Sequence, residues 1–103
     1  MEQNLSQQPD EVVRFLPAQI RSSSGSVNQV RVLDITDAGC LIDKRALMLK
    51  DQDRVLIKLK GLTYLAGSVL WADNEQAGLM FEEPLYSAVL QHLKTSSMVT
   101  ERS

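Results

Sequence analysis

The chain has 103 residues, 44% of them apolar and 23% charged, which suits one compact soluble domain and excludes a disordered or fibrous chain. Its formal charge of -2, with basic residues scattered among acidic ones, gives no broad positive field of the kind that holds duplex nucleic acid. Its apolar stretches run to a few residues where a membrane span takes about 20, Cys40 has no second cysteine to pair with, and the start Met1-Glu2-Gln3-Asn4 lacks the features of a secretory signal, all of which points to the cytosol.

Residues 1–11 are polar and without periodicity and read as a flexible N-terminal segment; residues 96–103 read as a flexible tail, leaving a domain over 12–95. Residues 15–21 form an apolar run containing Pro17, which predicts an edge strand because proline cannot serve a central ladder. The small residues 22–26 make a turn, and 28–35 then alternate, with Val30 and Val32 on one face and Arg31 and Leu33 on the other, as in the second arm of a hairpin. Ala38-Gly39 breaks the pattern before the short β-like run 40–42.

Downstream of residues 51–53, Val55, Ile57 and Leu59 face one way while Arg54, Lys58 and Lys60 face the other. Lys60-Gly61 turns the chain into 62–71, two β segments or one bent strand, with Gly67 expected to mark a bulge. A loop at 73–75 leads into 76–81, where Gly78 suggests close backbone packing. Beyond Pro84, the residues Leu85, Ala88, Val89 and Leu93 recur at helical spacing and predict a helix over 84–94 that caps the sheet. Periodicity therefore yields an all-β domain of five or six strands with a terminal helix.

The segment Asp34-Ile35-Thr36-Asp37-Ala38-Gly39 resembles the Asp/Asn-x-Ser-x-x-Gly motif of the PilZ domain, with Thr in place of Ser. The stretches Leu16-Pro17-Ala18-Gln19-Ile20-Arg21, Val69-Leu70-Trp71 and Ala77-Gly78-Leu79-Met80-Phe81 are similar to that family's strands, so the resemblance spans about residues 14–93. It implies a six-stranded antiparallel barrel with a C-terminal α-helix, and a bacterial signalling module whose ligand is the second messenger cyclic di-GMP and whose output runs through a protein partner. By the resemblance Asp34 accepts from a guanine edge, Thr36 offers a hydroxyl, Gly39 admits the ligand to the backbone and Arg14 grips phosphate, with Arg21 and Arg31 reaching the same face only if the loop folds back.

One departure matters: the family's Arg-x-x-x-Arg pair is missing, because neither Arg14 nor Arg21 has an arginine four residues away. That departure favours a nucleotide-independent adaptor of the kind found among divergent members in pilus, motility or exopolysaccharide control. A competing reading of the turn has Asp34 and Thr36 merely closing it and Gly39 supplying a positive φ. Trp71 reads as barrel core, His92 as a helix-surface residue and Cys40 as a buried, inert thiol. A lone histidine far from a lone cysteine predicts no metal site and no cofactor, and the carboxylates Asp51, Asp53, Asp73 and Glu75 sit in turns, so no enzyme is expected.

Overall fold

In the computed structural model, which describes residues 12–45 and 47–102, the alternating segments become seven antiparallel strands. They are β1 (Val12–Arg21), β2 (Val27–Ile35), β3 (Gly39–Asp43), β4 (Arg54–Leu59), β5 (Tyr64–Ala72), β6 (Gln76–Phe81) and β7 (Val99–Arg102). They run in the order β2-β3-β6-β5-β4-β1-β7, and a further pairing of β1 with β2 closes the first six into a barrel. The fold expected from periodicity and from the family resemblance is the fold observed, with one strand added.

Period-two burial fills the barrel. Leu16, Ala18 and Ile20 of β1 point inward with Val30 and Val32 of β2, Val55, Ile57 and Leu59 of β4, and Ala77 and Leu79 of β6. Two bulges interrupt the alternation. Val32 pairs with Ile42 and Asp34 with Leu41, so Leu33 is an extra residue in β2. Without it Asp34 would follow Val30 and Val32 inward; with it Ile35 is buried and Asp34 stands outside. Likewise Val69 pairs with Leu79 and Trp71 with Gly78, making Leu70 the extra residue in β5.

The bulge of β5 therefore falls at Leu70 and not at Gly67, where a close approach is at work: a Cβ there would sit 2.8 Å from the carbonyl oxygen of Met80. The edge-strand reading of β1 is also corrected, since β1 joins β2 on one side and β4 on the other. Pro17 is tolerated because the β4 pairing begins only at Ala18, so no ladder bond to β4 is asked of it, while on the other side it stands opposite Arg31 of β2. Positive φ is confined to true turns among the glycines, at Gly25 (φ 92) after β1 and Gly61 (φ 84) after β4.

After β6 the chain makes a short helix α1 (Ser87–His92) that widens into a π-helical turn (Leu93–Ser97). The helix is shorter than 84–94, with Pro84 outside it, and its apolar contacts are made by Leu85, Val89, Leu90 and the fully buried Leu93, while Ala88 is exposed. Its capping of the barrel holds. The π-turn redirects the chain into β7, which pairs with the N-terminal part of β1 from Val12↔Arg102 to Phe15↔Val99. No periodicity announced this strand, and the polar residues read as a tail beyond 96 contain it. The expected N-terminal segment 1–11 lies outside the described residues.

Candidate functional site: the turn between β2 and β3

The turn Thr36-Asp37-Ala38 joins β2 to β3 and is closed by its own atoms. Thr36 N–H donates to the Gly39 carbonyl at 2.9 Å, and the Thr36 hydroxyl accepts from the backbone N–H groups of Ala38 (3.2 Å) and Gly39 (3.3 Å). The Asp34 carboxylate accepts from Ile35 N–H through Oδ1 at 2.9 Å. The turn is also tied to the end of the neighbouring strand β6 and to the segment that follows it, since Ala38 O receives Phe81 N–H and Asp37 O receives Leu85 N–H, both at 2.8 Å. Thr36 is thus spent on local geometry, as the competing reading of the motif required.

Gly39 is not in the left-handed region. It is needed for another reason: a Cβ at this position would collide with the carbonyl oxygen of Leu79 on the paired strand β6. The expected positive φ is corrected to a close approach between two backbones.

Asp34 stands between two depressions. On one side a cavity of about 340 Å³ is lined by Asp34, Thr36 and Gly39 together with Leu70, Trp71 and Met80. These last three are 54%, 42% and 46% exposed, which makes this floor a shelf of apolar side chains turned to solvent. On the other side a smaller cavity of about 180 Å³ brings Asp34 together with Arg14, Lys94 and Met98. Arg14 and Asp34, 20 residues apart in sequence, therefore border one cavity.

Arg21 and Arg31 are not brought there. Arg21 ends β1, seven residues beyond Arg14 and so about 23 Å along the strand. Arg31 lies with its guanidinium 4.5 Å above the centre of the Phe15 ring and lines neither cavity. Trp71, expected in the core, is on the outside: the bulge at Leu70 and the bare backbone of Gly78 together let its indole lie against β6. Sequence reasoning missed Leu70, Met80 and Lys94 because each joins the site through strand pairing or the turn after α1, and none carries a local motif.

Cys40 lines the floor of the larger cavity from within, and burial pushes its thiol up to about 12. His92 is exposed on α1. Among the described residues no three His, Cys, Asp or Glu side chains converge as metal ligands would, and no helix is long and apolar enough to cross a membrane.

Neither the protein-family models nor the curated proteins contain a match to this chain.

Proposed function

We propose that this protein is a PilZ-like, non-catalytic signalling module of the cytoplasm that acts through protein contacts, with cyclic di-GMP binding weak or lost. One observation carries the reading: the Asp34–Gly39 turn opens onto the apolar shelf of Leu70, Trp71 and Met80 instead of onto paired guanidinium groups. An apolar shelf rimmed by a carboxylate and a hydroxyl suits a protein surface, where aromatic and Met side chains supply contact area. It does not suit a doubly charged nucleotide, which needs planar cations for its phosphates. Losing two charge-assisted anchors removes about 3–6 kcal/mol, or roughly two to four decades of affinity.

A second reading keeps the nucleotide, and the smaller cavity favours it. Arg14 and Lys94 flank Asp34 there, so two cations and a guanine acceptor share one hollow. Lysine grips phosphate as a point charge and lacks the fork that stacks and binds in two places, which is why this arrangement ranks second.

Calorimetric titration with cyclic di-GMP near physiological salt separates the two. The proposal expects no binding in the low-micromolar range for the wild type. Low-micromolar binding that Asp34→Ala abolishes would overturn it and make the Arg14/Lys94 hollow a nucleotide site.

A further inference from the structure

The outer surface of the barrel opposite the apolar shelf is segregated by charge. β1, β4 and β5 contain no Asp or Glu at all, and the single carboxylate of β2, Asp34, lies at its far end beyond the bulge. Register places Gln29, Gln19, Lys58 and Tyr64 directly opposite one another on β2, β1, β4 and β5, as one row across four strands. Alternation turns this row outward, because the inward positions on either side, Ala18, Ile20, Ile57 and Leu59, are all buried. Arg21 flanks the row on one side, between Val27 and Leu56; Lys60 follows Leu59 on the other. A shallow hollow of about 160 Å³ lies between Pro17, Gln19, Gln29, Lys58 and Lys60. Arg31, opposite Asp43, marks the edge where the first carboxylate appears.

We infer that this face is a docking surface for an acidic segment of a protein partner, seated along the Gln29–Gln19–Lys58–Tyr64 row. The row crosses three strand spacings, about 14 Å, and offers carboxylates the Lys58 ammonium, one of whose three N–H groups is held by Leu62 O, and the amide N–H groups of Gln19 and Gln29, with the Lys60 ammonium beside them. Val27 and Leu56, 51% and 37% exposed beside Arg21, add apolar area that a peptide side chain can cover. Single-stranded nucleic acid fits worse, because stacking needs an open aromatic ring. On this face Tyr64 is half-buried with its hydroxyl donating to Gln19 Oε1; of the exposed aromatics, Trp71 lies on the shelf and Tyr86 lines a separate hollow with Leu62 and Thr63. A flat anionic bilayer fits worse too. It would also meet the carboxylates at the border, Asp43 opposite Arg31 and Glu82 paired with Arg54. A narrow acidic segment along the row avoids them. The inference rests on the charge layout alone and holds whatever the Asp34 side binds.

The test is a fluorescence-anisotropy titration of a labelled oligo-glutamate peptide with the intact protein at low and at physiological salt. Binding is expected at low salt despite the protein's net negative charge, falling as salt rises. The double variant Lys58→Glu/Lys60→Glu should weaken it by about tenfold or more. Lys50→Glu/Lys94→Glu makes the same charge change away from the face and should leave the affinity within about twofold. Trp71→Ala and Asp34→Ala should also leave it unchanged, which keeps this surface separate from the turn. Absence of binding at low salt, or an equal loss in the two charge-reversal variants, overturns the inference. Tighter binding to an oligothymidine or to phosphatidylserine vesicles than to the peptide overturns it as well. Lys60→Glu alone, at an exposed turn position, supplies the same comparison if the double variant unfolds.

Discussion

The indole of Trp71 occupies the space above Gly78 where any other residue would carry its Cβ. The two residues are paired across β5 and β6 at the bulge, so one ring and one bare backbone together set the shape of the apolar shelf.

Gly78→Ala should therefore displace the ring without emptying the core. A methyl group there would meet the indole side chain and not the backbone, so the side chain can rotate away at a cost of about 1–2 kcal/mol. Trp71 is the only tryptophan, so its emission reports the move directly. A red shift with a small drop in thermal midpoint is expected; an unchanged spectrum would show that the ring does not depend on the gap.

Gly39 presents the opposite case. Its missing Cβ faces the carbonyl of Leu79, a backbone atom that cannot step aside without breaking the β3–β6 ladder. Gly39→Ala should already destabilise by about 2 kcal/mol or more, and Gly39→Val further. Thr36→Ala frees two N–H groups in an exposed turn and should cost about 0.5–1.5 kcal/mol. Thermal midpoints in that order are expected; equal midpoints would place Gly39 away from any tight contact.

The Cys40 thiol, held near 12 by burial, should resist a thiol-exchange reagent at pH 8 and react fully once the protein is unfolded. The linkage has a definite sign. Because the folded value lies above the unfolded one, the folded state keeps a proton that the unfolded state releases. The stability this represents is intact below the unfolded thiol value of about 8.5 and is lost as pH rises from there toward 12. Cys40→Ala should remove that alkaline decline, and rapid labelling of the native wild type would contradict the buried placement.

Asp73 gives the acid counterpart. Its Oδ1 accepts the N–H groups of Gln76 (2.7 Å) and Glu75 (2.8 Å) in the loop between β5 and β6, which holds the carboxyl below its usual value. Its contribution to stability is present above the unfolded value of about 3.9 and disappears as pH falls through the folded one. Chemical denaturation of Asp73→Ala should show a deficit at pH 7 that shrinks under acid. A deficit independent of pH would mean that the carboxylate charge plays no part.

Legibility in the sequence followed the range of the interactions. The barrel strands were readable because alternation is a property of neighbouring residues, and Val55, Ile57 and Leu59 face inward as their spacing demanded. The Asp34–Gly39 turn was readable for the same reason, because the bonds that close it span at most three residues, although Phe81 and Leu85 also bond to it from outside. Trp71 was misplaced because a bulge shifts phase by one residue, and an extra Leu70 in an apolar run looks like any other leucine. The existence of β7 depends on pairs from Val12↔Arg102 to Phe15↔Val99, and the place of Pro17 on a β4 pairing that begins at Ala18↔Leu59, neither of which a local window contains. The site inherits these limits: Asp34, Thr36 and Gly39 were found together, whereas Lys94 reaches Asp34 only through the turn of α1.

The pairing of β7 with the start of β1 has a mechanical side. Val12 sits opposite Arg102, so the strands meet with their outer ends at the same place. Tension applied to those two ends would load the ribbon's hydrogen bonds one pair at a time, as a zipper opens. The continuation of β1 is gripped from both sides by β2 and β4, and peeling would stall where that double pairing begins at Ala18. The protein should thus yield in two stages under force, a compliant ribbon first and a stiff closed barrel second.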